Sequence, residues 1–93
     1  MPELFRIFET KTFITDLDDD FSGHRNKIRK KLQCYVYPAL RIQPYFGTNI
    51  KKLMNFKPPT WRYRIGDYRF FYTIKASEKT VFMLKISLRA DAY

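Results

Sequence analysis

The sequence contains few of the residues on which most metal and catalytic sites depend. Cys34 is the only cysteine, so the chain can form neither an internal disulfide nor a cysteine-based zinc site. His24 is the only histidine, and it lies at a basic helix start, where a surface or capping role is more common than catalysis. Phosphate-binding loops, dinucleotide fingerprints and metal-ligand clusters are missing as well. We therefore expect no metal and no cofactor.

Long hydrophobic runs are also missing. No apolar segment approaches the roughly 20 residues that a membrane-spanning helix needs, and the first residues lack the basic start and apolar stretch of a secretion signal. The sequence therefore predicts a cytoplasmic protein with no membrane partner. Its 93 residues suffice for one domain, 1–93, with a single small core, and the 45% hydrophobic content argues against disorder.

Acidic residues are unevenly distributed. The net charge is +9, yet residues 21–60 contain no Asp or Glu, and the later acids, Asp67, Glu78 and Asp91, lie at predicted turns or near the last residue. A paired-carboxylate active site is therefore not expected. A chain this basic is drawn to polyanions, either nucleic acid or an acidic protein segment. For the basic cluster at 25–31, a solvated helix face is an equally good interpretation.

The pattern along the chain predicts an α+β domain of order β-α-α-β-β-β, with two N-terminal helices packed on a mostly antiparallel four-stranded sheet. Residues 4–8 form the first strand, and a short helix capped by Thr10 or Thr12 follows. A second helix is capped by Ser22 and ends at Pro38. The residues expected on its buried stripe are Ile28, Leu32 and either Tyr35 or Val36.

The second half of the chain holds the other three predicted strands. Residues 38–60 are rich in proline and are expected to form an irregular segment that contains the basic patch Lys51-Lys52. A hairpin follows, and residues 80–88 form the last strand. Its alternation is expected to place Phe82, Leu84, Ile86 and Leu88 in the core, and Lys85 and Arg89 on the opposite face with the hairpin arginines.

Three arginines share one face of the predicted hairpin at residues 61–72, Trp-Arg-Tyr-Arg-Ile-Gly-Asp-Tyr-Arg-Phe-Phe-Tyr. Apolar residues alternate with period two on both sides of Gly66-Asp67, a dipeptide suited to a two-residue turn. Such a turn pairs Ile65 with Tyr68, Arg64 with Arg69, and Arg62 with Phe71. The residues that point the other way, into the expected core, are Trp61, Tyr63, Ile65, Tyr68, Phe70 and Tyr72. Because like charges directly opposite each other destabilise a sheet, we expect the arginine pair to bind an anionic partner.

The basic and aromatic residues expected near this face suit an RNA phosphodiester. Arginines supply forked donors for phosphate, and a tyrosine can stack on a base or donate its hydroxyl. The 2′-hydroxyl beside each scissile phosphate is a built-in nucleophile, so the protein need only align it and stabilise charge on phosphorus. The candidate catalytic residues are Arg62, Arg64, Arg69, Arg89 and Tyr93, and the candidate RNA-binding residues are Lys51, Lys52 and Lys85.

Residues 61–72, together with Ser-Leu-Arg-Ala-Asp-Ala-Tyr at 87–93 and the upstream Lys51-Lys52-Leu53, resemble the RelE branch of the RelE/ParE toxin superfamily. Members of this branch are toxins of type II toxin–antitoxin systems, metal-independent endoribonucleases (mRNA interferases) that cut mRNA in the ribosomal A site and inhibit translation. The resemblance implies the same activity here, with the ribosome and mRNA as partners. It also implies a cognate acidic antitoxin, RelB-like or similar, that binds the toxin in a hetero-oligomer.

The resemblance assigns roles to five residues. Two basic family residues on the strand before the turn fall on Arg62 and Arg64, and an arginine after the turn falls on Arg69. A later arginine and a tyrosine fall on Arg89 and Tyr93. The resemblance implies that Arg69 and Arg89 stabilise the phosphate and leaving group, and that Tyr93 stacks on or orients the substrate.

Two departures from the family concern proton transfer. Ribosome-dependent members often have lysine in place of Arg62 and Arg64, and arginine keeps its proton at any ordinary pH. Related toxins frequently have histidine at the position of Leu88. Removal of the 2′-hydroxyl proton therefore falls to another group, to the ribosome, or to solvent.

Two other functions fit the same residues. A ParE-like toxin shares the hairpin but poisons DNA gyrase as a binding protein, and it typically lacks the terminal pair that Arg89 and Tyr93 form here. A non-catalytic RNA- or ribosome-binding module would use the arginine face for salt-sensitive binding and cut nothing.

Overall fold

The computed structural model describes residues 4–18 and 25–88. Within them the elements, in chain order, are β1 (Arg6–Glu9), α1 (Lys11–Asp18), α2 (Arg25–Lys31), a π-helical segment (Leu32–Val36), α3 (Tyr37–Ile42), β2 (Ile50–Lys52), β3 (Trp61–Ile65), β4 (Tyr68–Lys75) and β5 (Thr80–Leu88). The strands form one sheet of order β1-β5-β4-β3-β2. β1 runs parallel to β5 and the other neighbours are antiparallel. The predicted α+β class is confirmed.

The predicted number of four strands was wrong, because β2 adds a fifth. Residues 38–60 were expected to be irregular, but Lys51 in β2 pairs with Arg62 in β3. A strand of three residues that includes two lysines has no hydrophobic alternation by which it could be recognised. Lysine is nevertheless common on edge strands, where its charge discourages pairing with another chain.

The helical part of the chain runs through Pro38, so the prediction that Pro38 ends it was wrong. The π-helical segment leads directly into α3, where the Tyr37 N–H donates to the carbonyl of Leu32, five residues back. Pro38 then lies in the first turn of α3, where an N–H is not required. The wider turn thus accommodates the proline without breaking the helix. The predicted cap Ser22 lies outside the described residues.

The helices bury one face against the sheet. Val36 is the residue on the buried stripe rather than Tyr35, which is 58% exposed. Thr10, one of the two predicted caps, accepts a hydrogen bond at Oγ1 from the Phe13 N–H (3.3 Å). The same hydroxyl donates to the carbonyl of Met83 in β5 (2.6 Å), which fixes the start of α1 on the sheet. The fully buried side chains between helices and sheet include Phe13, Leu17, Ile28, Leu32, Leu40, Phe70 and Tyr72.

The hairpin has the predicted register. Ile65 pairs with Tyr68, Arg64 with Arg69, and Arg62 with Phe71. Gly66 has a φ of 59°, a conformation that favours glycine, and it occupies the first central position of the turn. The local turn signal and the alternation on both strands therefore agree, which is why the register could be predicted.

A β-bulge interrupts the pairing of β4 with β5. Phe71 pairs with Lys85, but the next residue, Tyr72, pairs with Met83. Leu84 is therefore an extra residue with no partner in β4. An extra residue in one strand shifts the remaining side chains to the other face of the sheet.

The bulge explains an error in the predicted core. Val81 and Met83 are fully buried, whereas Phe82 and Leu84, which were expected there, are only partly buried. A strict period of two cannot anticipate an inserted residue. Beyond the bulge Ile86 is buried, as predicted. No helix within the described residues is long and apolar enough to cross a membrane.

Candidate nucleic-acid interface

Five cationic side chains lie on the face of the sheet opposite the helices. Two rows of directly paired residues cross this face. The first row is Lys51 in β2, Arg62 in β3, Phe71 in β4 and Lys85 in β5. The second row is Arg64, Arg69 and Ser87. We call the surface formed by Lys51, Arg62, Arg64, Arg69 and Lys85 the basic face.

The three hairpin arginines differ in exposure. Arg64 is exposed, Arg62 is partly buried, and Arg69 is only 7% exposed. The Nε of Arg62 is buried and has no hydrogen-bond partner among the described residues. A buried donor without a partner costs about 1–3 kcal/mol. An anion bound beside Arg62 would remove that cost.

Within the described part of the chain, no carboxylate forms an ion pair with the exposed cations of the basic face. The ion pairs within residues 4–18 and 25–88 are Arg25–Asp18, Arg29–Glu9 and Lys75–Glu78. None of these pairs includes Lys51, Arg62, Arg64 or Lys85. Positive charges on neighbouring strands repel one another. A bound anion would reduce this repulsion, so the face favours the binding of an anion.

The two adjacent lysines of β2 point in opposite directions. Lys51 pairs with Arg62 on the basic face, whereas Lys52 pairs with Trp61 on the helix side of the sheet. The Nζ of Lys52 lies 5.6 Å from the centroid of the Trp61 ring, within the range of a cation–π contact. The sequence grouped the two lysines as one patch, and the strand separates them.

The structure describes some of the other predicted residues, and the rest lie outside the described ranges. Lys85 lies on the face that was predicted for it, directly opposite Phe71. Arg89 and Tyr93 lie outside the described residues, as does His24. Tyr68 and Tyr72, expected in the core, are both buried, and burial raises the pKa of each phenol above its usual value.

The structure also shows a cleft that the sequence did not reveal. It has a volume of about 620 Å³ and lies along the edge of the basic face. Its apolar lining consists of Phe56, Phe71 and Leu84, and its polar lining consists of Thr10, Thr12, Thr60, Lys85 and Ser87. We call it the apolar cleft. It combines a loop, a helix start and the β-bulge, so no local sequence signal could have predicted it.

A second, smaller hollow lies at the other end of the basic face. It has a volume of about 440 Å³ and is lined by Thr48, Asn49, Arg62, Arg64, Ile65 and Gly66. The carbonyl of Asn49 accepts a hydrogen bond from the Arg64 N–H (3.0 Å), which fixes the turn before β2 against β3. This smaller hollow is thus lined by two arginines of the hairpin, whereas the cation that lines the apolar cleft is Lys85.

The chemistry available on the basic face is charge stabilisation. Forked guanidinium donors match the oxygens of a phosphate and stay protonated throughout the ordinary pH range. The face can therefore bind a phosphodiester and stabilise added negative charge on phosphorus. Its arginines cannot serve as efficient general bases.

Comparisons with known proteins were made for the sequence and for the structure. No protein-family model matches the chain, and no curated protein matches it. Among solved structures, a chain of a RelBE toxin–antitoxin complex from Mycobacterium tuberculosis superposes with a TM-score of 0.74 at 23% identity, covering 98% of this chain and 98% of that one.

Two further structures extend the likeness. A chain of the archaeal RelE–RelB complex from Pyrococcus horikoshii has a TM-score of 0.68 at 22% identity, with 96% of this chain and 99% of that one covered. The toxin RelE of E. coli, as a mutant in the free state, has a TM-score of 0.65 at 19% identity, with 96% and 86% covered. The chain therefore has the fold of the RelE toxins.

Proposed function

We propose that this chain is the toxin of a type II toxin–antitoxin system, an mRNA interferase of the RelE kind that cleaves mRNA in the ribosomal A site. The observation that carries the proposal is the basic face, on which Arg62, Arg64 and Arg69 meet across the hairpin. The RelE-like fold and the resemblance of the hairpin motif support the same assignment. We place the protein in the cytoplasm, where its RNA substrate is translated.

The proposed reaction uses a nucleophile that the RNA itself provides. The 2′-oxygen forms a bond to the adjacent phosphorus, the bond to the 5′-oxygen of the next nucleotide breaks, and a 2′,3′-cyclic phosphate remains. The 2′-hydroxyl proton passes to solvent or to a ribosomal group, and the leaving 5′-oxygen takes up a proton. The nucleophile is part of the substrate, so the protein contributes alignment and charge stabilisation.

The basic face supplies that stabilisation. Arg69 lies between Arg64 and Ser87 in its row, and its burial restricts the movement of the guanidinium. A preorganised cation of this kind stabilises a transition state more effectively than a mobile one. We assign Arg62, Arg64 and Arg69 to the reacting phosphate. Arg89 and Tyr93 complete the proposed site, as leaving-group and substrate contacts.

The lysines of the basic face are assigned to the flanking RNA backbone. Lys51 and Lys85 lie at the two ends of the row that contains Arg62 and Phe71. Their exposed ammonium groups can each contact a phosphate on either side of the scissile bond. Lys52, on the other side of the sheet, is left out of this assignment.

An acidic antitoxin is the proposed protein partner. The structures from M. tuberculosis and P. horikoshii are complexes of RelE with RelB. A chain with a net charge of +9 attracts an acidic segment, and such a segment can fold as it covers the basic surface. We propose a RelB-like antitoxin in a hetero-oligomeric complex.

The proposal is tested by mapping mRNA 5′ ends after expression from a tightly controlled promoter, with Arg64→Ala expressed in parallel. We expect cuts within translated codons that the variant lacks or shows at a much lower frequency. Arg64 is exposed, so its replacement leaves the core intact. Growth arrest with intact mRNA and altered DNA supercoiling would instead indicate a gyrase poison of the ParE kind. RNA binding without cleavage would indicate a binding module.

A further inference from the structure

The apolar cleft contains aromatic surface that the fold leaves open to solvent. Phe56, in the segment between β2 and β3, is 53% exposed, and Phe71 in β4 is only partly buried. Exposed aromatic surface next to cations is the arrangement that single-stranded nucleic acids bind, because every base has a face that can stack on a ring. The cleft volume of about 620 Å³ lies within the range of small-molecule sites.

The cleft and the basic face share residues. Phe71 lies in the same cross-sheet row as Arg62 and Lys85, directly between them. Neighbouring strands lie about 4.8 Å apart, so the ring of Phe71 begins about one strand spacing from each cation. A nucleotide whose phosphate contacts Arg62 therefore has its base within reach of the cleft.

The rim of the cleft offers both hydrogen-bond donors and acceptors. Thr60 Oγ1 donates its proton to the carbonyl of Pro58 (3.1 Å), so its remaining lone pair can accept from a base N–H. Lys85 Nζ can only donate. Thr10 contributes little, because its hydroxyl already donates to Met83 and accepts from the Phe13 N–H. The edge of a nucleobase, which carries donors and acceptors side by side, matches this rim.

We propose that the apolar cleft binds a nucleobase of the RNA whose phosphates the basic face holds, with Phe56 and Phe71 as its stacking surfaces. The proposal rests on the proposed function, because it requires RNA on the basic face. In this arrangement the cleft binds a base by stacking, whereas the basic face binds the phosphates of the backbone by charge.

The experiment compares two fluorescein-labelled RNA oligonucleotides by fluorescence anisotropy at low salt. Both are 2′-O-methylated so that no cut occurs, and they have the same number of phosphates. One carries a full set of bases and the other has abasic positions at its centre. For the unaltered protein we expect the first to bind about fivefold or more tightly than the second, the size of one base–aromatic stack.

Variants of Phe56 separate stacking from simple apolar contact. Phe56→Leu is expected to remove most of the preference for the base-containing RNA without changing the affinity for the abasic RNA. Phe56→Tyr, which keeps a ring, is expected to retain the preference. Met54→Ala is the matched control, because Met54 is 78% exposed in the same segment and does not line the cleft.

Each outcome has a defined meaning. If the unaltered protein binds the two RNAs with equal affinity, the base site is overturned and the proposed backbone contacts remain. The same conclusion follows if Phe56→Leu lowers the affinity for both RNAs by the same factor. Loss of the preference in Met54→Ala would also overturn it, by assigning the effect to the segment as a whole. Failure of both RNAs to bind would overturn the proposed function together with this inference.

Discussion

At the scale of single residues, the position of a cation on the sheet decides what it can do. Lys51 and Lys52 are neighbours with the same charge, yet one pairs with Arg62 on the basic face and the other lies over Trp61. The sequence could predict that both are basic and near the hairpin. It could not show their opposite directions, because that depends on the pairing of a three-residue strand.

The two lysines therefore form a matched pair of tests. We expect Lys51→Ala to weaken binding to single-stranded RNA and to reduce the dependence of log affinity on log salt by about 0.7, the value for one lost phosphate contact. Lys52→Ala removes the same charge from the molecule but is expected to leave the slope unchanged. Titrations at several salt concentrations measure both. Equal effects of the two substitutions would mean that net charge alone governs binding.

Arg69 differs from the exposed arginines because its side chain is buried. Although it lies on the basic face, the side chain is only 7% exposed and is therefore packed. We expect Arg69→Ala to lower the rate of RNA cleavage by about 10²-fold or more, the size of losing one preorganised donor. Arg69→Lys keeps a charge and most of the stem but loses the fork, so it should also cleave slowly.

A stability measurement accompanies the Arg69 variants. Thermal unfolding should show that Arg69→Lys remains folded at the temperature of the cleavage assay. If the folded lysine variant cleaves at the rate of the unaltered protein, the forked geometry of Arg69 has no role in catalysis.

At the scale of secondary-structure elements, the register of the hairpin was predicted correctly and two irregularities were missed. The hairpin register follows from Gly66 and the alternation beside it, and the structure has that register. The bulge at Leu84 and the helix through Pro38 were both missed. A strict period of two has no place for an inserted residue. The proline signal predicts the end of a helix, whereas here a π-helical turn carries the helix through the proline.

The start of α1 allows a direct test of the helix cap that the sequence predicted. Thr10 both caps the helix and donates to the carbonyl of Met83. We expect Thr10→Ala to lower the free energy of unfolding by about 1–2 kcal/mol, because a cap and a hydrogen bond to the sheet are lost together. Thr12→Ala, in the first turn of the same helix, is expected to have a much smaller effect. Urea unfolding of both variants measures the difference.

A hydrogen bond between α3 and β1 leads us to expect that the protein loses stability at alkaline pH. Tyr37 is buried and donates a hydrogen bond to Glu9 Oε2, which also accepts one from Arg29 Nη1 (2.8 Å). Burial, followed by the hydrogen bond to Glu9, raises the pKa of Tyr37 well above its usual value. The folded state therefore favours the neutral phenol, whereas in the unfolded chain the phenol ionises near pH 10.

The contribution of Tyr37 to stability is thus complete below about pH 10 and is lost progressively as the pH rises toward its folded-state pKa. We expect Tyr37→Phe to flatten the fall in unfolding free energy between about pH 10 and 11.5. Tyr35→Phe, at a 58% exposed position, serves as the control and should leave the curve unchanged. Denaturant unfolding at a series of pH values gives the comparison. An unchanged slope in Tyr37→Phe would contradict the assignment.

At the scale of the whole molecule, helices and sheet share one core. Trp61, the single tryptophan of the chain, is buried in the core cluster together with Phe13 in α1 and Leu40 in α3. We expect one cooperative unfolding transition, with the fluorescence of Trp61 and the far-ultraviolet circular dichroism changing at the same denaturant concentration. Two separate midpoints would show that the helices and the sheet unfold independently.

The parallel pairing of β1 with β5 has a consequence for the timing of folding. Arg6 pairs with Thr80, so the first strand must wait for a partner that is far along the chain. At a synthesis rate of roughly 5–20 residues per second, that partner is made about 4–15 s after β1. During this interval β1 has no strand to pair with, because β5 is its only neighbour in the sheet described by residues 4–18 and 25–88. A newly made chain therefore carries its first strand unpaired until almost the whole protein has been synthesised, and the sheet is completed at its β1 edge only then.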